Sequence, residues 1–249
     1  TTLFRSDGRR EPLLTVMAAE AGKTPAEADP EISEAVDFAR YYADRCEELV
    51  TGMASDGARF EPRRLTLVTP PWNFPVAIPI GSVLAALASG SAVIIKPAPQ
   101  TVGCVEVAME ALWAAGIPRE VAQVVRVEEN ENGKALVSHE DVDTVILTGS
   151  IETGRLFAGW RSRHAGGPRV FGETSGKNAL VVTPAADLDL AAADLGGGDD
   201  AVAEVLLEQA DGDRLQRLRH RRDLGEDVDA VLLVLDHPLQ TAGLALDPP

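Results

Sequence analysis

The spacing of hydrophobic and polar positions changes along this chain. Over residues 31–50 the apolar side chains Ile32, Val36, Ala39, Tyr42, Cys46 and Leu49 recur at helical spacing with charges between them. That spacing predicts an amphipathic helix whose first role is packing. From residue 65 onward the pattern turns to short β-rich apolar runs, at 65–69, 92–96, 121–127, 144–148 and 179–182, each predicting a strand. Residues 76–88, 102–115, 133–138 and 152–160 lie between or after them with helical patterning. Gly90 and Gly116 stand where two of these helices should stop, and Pro118 opens the next turn. Strand and helix alternating in this order predict an α/β fold, a doubly wound, Rossmann-like parallel sheet with covered faces, preceded by a helical N-terminal portion. Open sheets of this kind bind ligands outside the carboxyl ends of their strands, so chemistry is expected in the loops that follow the strands.

The same pattern divides the chain into three stretches: a helical segment at 1–64, the strand–helix alternation at 65–195, and a tail at 196–249. The tail opens with Gly-Gly-Gly-Asp-Asp, has no Phe, Tyr, Trp, Cys or Lys, and clusters Arg214, Arg217, Arg219, Arg221 and Arg222. Within it residues 201–209 predict a helix and 231–235 a strand, yet no motif ties them to what precedes. Three readings of the tail stay open: a divergent segment, a disordered one, and a stretch read out of frame. The first residue is Thr1, not Met, and no apolar core of signal-peptide length follows the basic start. The expectation is a truncated or processed beginning.

A formal net charge of −16 argues against partners that need clustered cations, which excludes nucleic acid and anionic membrane surfaces as the expected ligands. Residues 75–95 carry no charge over a span of membrane length, but Pro75, Pro79, Gly81, Ser82 and the Ser89-Gly90-Ser91 break divide the run into a helix and a strand. A buried α/β core is therefore expected there, with no membrane span. Only Cys46 and Cys104 occur, both within helical stretches, so neither a disulfide framework nor a metal site of the zinc kind is expected, and a reducing, cytoplasmic setting fits.

Four segments carry candidate chemistry. Pro70-Pro71-Trp72-Asn73-Phe74-Pro75 follows the first strand; its prolines stiffen the backbone around one amide, which suits either a donor to developing negative charge or an ordinary turn Asn. Lys96-Pro97-Ala98-Pro99-Gln100-Thr101 ends a buried run in a cation, able to reach ribose hydroxyls or phosphate, or simply to cap the sheet edge in solvent. Leu147-Thr148-Gly149-Ser150-Ile151-Glu152-Thr153-Gly154 joins a strand to a helix through small residues, so that amides at the helix start can face a pyrophosphate; a plain Ser-capped helix has the same signature. Gly172-Glu173-Thr174-Ser175-Gly176-Lys177-Asn178 is one residue too short for a phosphate-binding P-loop and has Asn178 in place of the metal-binding hydroxyl. Glu173 is there either a general base or an exposed loop carboxylate.

In this order and spacing the four segments resemble the cofactor-binding region of the aldehyde dehydrogenase superfamily. Their wording, with Tyr41-Tyr42-Ala43 upstream, is similar to the branch that oxidises glutamate semialdehyde and to the bifunctional proline-utilisation enzymes, over residues 13–195. The resemblance implies NAD as cofactor and a small aldehyde as substrate. By the same likeness Asn73 would steady an oxyanion and Glu173 would activate water, as the two catalytic residues. Thr69, Pro70, Trp72, Lys96, Gly149, Ser150 and Thr153 would face the cofactor, with Lys96 on the adenosine ribose.

The family's nucleophile is a cysteine in a G-Q-x-C type run beyond the general base, because only a soft thiolate gives both addition to the aldehyde and a hydrolysable thioester. No cysteine follows Cys104 in this chain. The family's homo-oligomer is built from strands that the resemblance does not reach. Two readings follow: a semialdehyde dehydrogenase represented by a chain without its nucleophile, or a catalytically dead NAD-binding remnant that pairs with an intact paralogue.

Overall fold

The computed structural model describes residues 7–51, 60–128, 131–160, 167–175, 178–182, 187, 190, 206–207 and 230–234. By packing the chain forms two units, Thr1–Thr174 and Ser175–Pro249.

The first unit begins with two helices, α1 (Asp7–Ala21) and α2 (Pro25–Thr51), joined at Gly22, whose φ of +69° only glycine adopts without strain. Helix α2 starts six residues before the predicted helix. Its start signal is local: Pro25 occupies the first helical position, and the Glu27 carboxylate reaches back to accept from the Thr24 amide (2.8 Å) and hydroxyl (2.7 Å). Helix α1 was expected only as part of a helical portion. It packs Leu13 and Met17 into the same core as Ile32 and Val36 of α2.

There follow β1 (Leu65–Thr69), α3 (Ala77–Ala88), β2 (Ala92–Ile95), α4 (Val102–Ala114), β3 (Ala122–Val124), α5 (Glu131–Val137), β4 (Thr144–Gly149), α6 (Ile151–Trp160) and β5 (Arg169–Thr174). The five strands form one parallel sheet in the order β3-β2-β1-β4-β5. The predicted fold class, a parallel doubly wound sheet with a helical N-terminal portion, is therefore found. Gly90 and Gly116 close α3 and α4 with φ of +81° and +106°, as their positions predicted.

Alternation along the strands splits the core. Val68, Val93 and Ile95 face a large cluster built with α1 to α4, while Leu67, Val145 and Leu147 face a smaller one with Val137 and Phe157 from α5 and α6. The inner strands β1, β2 and β4 carry apolar side chains on both sides because both sides are covered. Among the described residues, no helix is long and apolar enough to cross a membrane.

Strand β5 was not predicted; residues 172–178 read as a loop motif. Only Val170 and Phe171 in it are apolar, and as the edge strand it needs no continuous apolar run. In the second unit β6 (Asn178–Val182), β7 (Leu206–Leu207) and β8 (Ala230–Val234) form a parallel sheet in the order β6-β8-β7. The strand predicted at 231–235 corresponds to β8. The helix predicted at 201–209 is corrected at Leu206 and Leu207, which pair with Leu233 and Val234 as strand; hydrogen bonding to β8 overrides the helical propensity of that stretch. Its other residues lie outside the described ones.

At the amino edge of the first sheet Arg64 joins the entries to β1 and β4. Its backbone N–H (2.7 Å) and guanidinium (2.8 Å) both donate to the Asp143 carboxylate. The Arg64 side chain, through its hydrogen bond, is the main reason the Asp143 carboxyl titrates below its ordinary range. A carboxyl depressed in the folded state contributes stability above its unfolded pKa, and the contribution is lost as pH falls through the folded value. Arg64 is largely exposed, so Asp143→Asn should lower stability at pH 7 by no more than about 1 kcal/mol. The deficit should close on acidification below about pH 4. Urea unfolding of both proteins at the two pH values checks this, and a deficit that persists in acid would contradict it.

Candidate functional site at the carboxyl edge of the sheet

The strand order reverses direction between β1 and β4, which are neighbours although two strands separate them in sequence. A crevice at the carboxyl end of such a switch point is where doubly wound sheets take their ligands. The register aligns the strand ends there. Thr69 pairs with Leu147, Glu173 with Thr148, and the Lys96 N–H continues the ladder by donating to the Val68 carbonyl at 2.9 Å. Lys96, the 70–75 loop, Gly149-Ser150 and Glu173 thus lie along one edge on four adjacent strands, β2, β1, β4 and β5. At about 4.8 Å per strand, the row from β2 to β5 spans roughly 14 Å.

Each predicted residue can now be located. Thr69 is buried, and its hydroxyl donates to the Ile146 carbonyl at 3.0 Å, tying the end of β1 to β4. Pro70 is buried, Trp72 is 52% exposed, and Asn73 is half-buried in the turn that leads into α3. Lys96 is only 9% exposed; among its contacts its ammonium donates to the Pro97 carbonyl at 3.3 Å. Ser150 caps α6, its hydroxyl accepting from the Thr153 N–H at 3.1 Å and lying 3.1 Å from the Thr153 hydroxyl. Glu173 stands exposed in β5, at a strand end and not in a loop. Lys177 and the side chain of Asn178 fall outside the described residues.

Which helix start can receive an anion is decided by what already occupies the others. The first-turn amides of α3 are taken: Val76 and Ala77 both donate to Glu31 Oε1, at 2.7 and 3.1 Å. Those of α4 are taken as well, Gly103 donating to Glu20 Oε1 at 3.0 Å and Cys104 to Glu20 Oε2 at 2.9 Å. A Cβ on Gly103 would come within 2.6 Å of that carboxylate oxygen, so glycine is what lets Glu20 approach. Helix α6 has no such internal carboxylate among the described residues. Its start is built from Gly149 and Ser150, and Gly154 lets it lie close on β5, since a Cβ there would meet Thr174 Cγ2 at 3.0 Å. Exposed amides, a small-residue turn and close helix–strand packing are what a pyrophosphate-binding turn requires.

Sequence reasoning did not single out Glu20, Lys23 or Glu31. In an amphipathic helix a carboxylate reads as solvated, and only the packing of α1 and α2 against α3 and α4 turns these inward. The Thr24-Pro25-Ala26-Glu27 start signal was the one clue, because it places Glu31 within the body of α2 and not at its first residue.

Neither cysteine is placed for nucleophilic work. Cys46 is half-buried on α2, and Cys104 is fully buried at the start of α4. A helix start ordinarily favours a thiolate. Here burial first, and then the Glu20 carboxylate beside it, push the Cys104 thiol far above its ordinary value. In a Cys46→Ser chain, Cys104 should therefore resist a maleimide at pH 8 until urea unfolds the protein; stoichiometric labelling of the native chain would contradict that assignment.

The family model described as the aldehyde dehydrogenase family matches residues 5–198. The 1-pyrroline-5-carboxylate dehydrogenase of Staphylococcus epidermidis is 37% identical over 195 residues, 74% of this chain and 38% of that protein. Proline utilization A from Corynebacterium freiburgense superposes with a TM-score of 0.74 at 44% identity, covering 89% of this chain and 24% of that one. A Thermus 1-pyrroline-5-carboxylate dehydrogenase with bound NAD superposes with a TM-score of 0.77 at 29% identity, covering 89% and 47%. The chain thus spans less than half the length of each of these relatives.

Proposed function

This chain belongs to the aldehyde dehydrogenase family, and from that premise we propose that it is the cofactor-binding half of an NAD-dependent enzyme oxidising glutamate γ-semialdehyde to glutamate. The observation that carries the cofactor part is the crevice at the switch point, where the α6 start, unlike those of α3 and α4, is not filled by one of the chain's own carboxylates among the described residues. The substrate part rests on the relatives named for 1-pyrroline-5-carboxylate and proline utilisation.

NAD, when bound, accepts hydride from the substrate carbon. In this reading Gly149, Ser150 and Thr153 at the α6 start hold the pyrophosphate, and Lys96 donates to the adenosine ribose from the β2 end. Thr69, Pro70 and Trp72 form the wall between them. Asn73 donates its amide N–H to the oxygen that becomes negative as the aldehyde carbon turns tetrahedral, a contact worth about 3 kcal/mol where such donors have been removed elsewhere. Glu173, exposed at the β5 end, takes the proton of the water that releases the acid.

The cysteine that must attack the aldehyde is not among the residues of this chain beyond Glu173. The residues of this reading therefore supply cofactor binding, oxyanion stabilisation and water activation, and not the covalent step.

Calorimetry with NAD, and with NADP as competitor, tests the reading beside an assay for NADH formation from glutamate semialdehyde. The expected result is NAD binding without turnover. Lys96→Ala should weaken binding about fivefold or more, the worth of one charge-assisted hydrogen bond. Absence of binding by a chain that unfolds cooperatively would overturn the cofactor assignment; turnover would force Cys104 or Cys46 into the mechanism.

A further inference from the structure

The 70–75 loop is fixed at both ends, and by different means. At its start the Thr69 hydroxyl is bonded to β4. At its end the chain passes directly into Val76 and Ala77, whose amides converge on Glu31 Oε1, while Glu31 Oε2 accepts from the Lys23 ammonium at 2.7 Å. Glu31 is 3% exposed, so this carboxylate has left water and is satisfied by two backbone donors and one cation. Lys23 makes a second contact. Its ammonium lies 4.2 Å from the centre of the Phe74 ring, and Phe74 is the residue next to Asn73. Lys23 is itself held in the α1–α2 turn, just after Gly22, with its backbone N–H directed at the Met17 carbonyl at 3.4 Å.

We propose that Lys23 and Glu31 are positioning residues for Asn73: together they clamp the far end of its loop, one through the α3 amides and the other through the Phe74 ring. The proposal deepens the functional reading and rests on Asn73 as the oxyanion donor. An oxyanion donor acts only if it is held before the charge appears. Prolines stiffen the loop but do not fix where its end lies; the two N-terminal helices do.

The test reads the Asn73 side-chain amide by nitrogen-15 NMR on the whole chain without NAD, its signal identified by its loss in Asn73→Asp. In the unsubstituted chain the Lys23 ε-protons should be shifted upfield by the Phe74 ring, and the Asn73 amide should be ordered. In Lys23→Met, which keeps an apolar stem over the ring and removes the charge, the Asn73 order parameter should fall below about 0.6, the flexible range. The backbone signals of β1 and β4 should stay in place. Lys23→Arg, which keeps a cation for both partners, should restore the order. Glu31→Gln, which keeps an acceptor for the amides, should loosen Asn73 as Lys23→Met does.

An unmoved Asn73 amide in either folded charge-removing variant would overturn the proposal. So would an unshifted Lys23 ε-signal in the unsubstituted chain, a result that needs no variant to fold. Because the cofactor is absent throughout, failure to bind NAD sinks the functional reading alone, whereas an unmoved Asn73 sinks the clamp alone.

Discussion

A carboxylate withdrawn from water must be answered on every side, and Glu31 is the point at which this unit meets that requirement. Its two oxygens are shared among two helix-start amides and one ammonium, donated by the α1–α2 turn and by the first turn of α3. Removing a single partner from such an arrangement leaves a buried charge uncompensated, which typically costs about 3 to 5 kcal/mol. The helical N-terminal portion is therefore not an appendage to the sheet. It supplies the cap of α3 through Glu31, the cap of α4 through Glu20, and a share of the main apolar core through Leu13, Met17 and Ile32.

This docking also shapes the ligand edge. In a parallel sheet every helix that follows a strand points its positive end at the same edge, so a bare fold would offer several anion sites in a row. Filling the α3 and α4 starts with internal carboxylates removes them from competition and adds negative charge beside them. The start at Ser150, next to the switch point, is the more distinct for it. Lys96, buried at the other side of β1, keeps one positive group at that edge.

What could be read from the sequence follows from which forces are local. Strands such as Leu65–Thr69 and Ala92–Ile95 were legible because burial on both faces removes charge and leaves short runs of apolar and β-branched residues. The stops at Gly90 and Gly116 were legible because backbone conformation there admits little else. Strand β5 was not: an edge strand with Arg169, Gly172 and Glu173 has no such run, and its pairing with β4 is a tertiary fact. The site was legible as a set of motifs, since loop chemistry needs specific residue types. The parts that support it from outside the motifs were not, because Glu20 and Glu31 differ from surface glutamates only in what packs against them.

Chemistry and stability rest on different residues of this unit, for a physical reason. The groups assigned to chemistry, Asn73, Ser150 and Glu173, lie on loops and strand tips, none fully buried. The stabilising contacts lie elsewhere: in two apolar clusters on opposite faces of the sheet, and in carboxylate caps on the side of the N-terminal helices. Truncating the Glu173 side chain subtracts nothing from either. The exposed apolar side chains Phe171 of β5 and Leu156 of α6 belong to neither cluster core. Such side chains beside an edge strand favour association, a weakness separate from the residues that line the crevice.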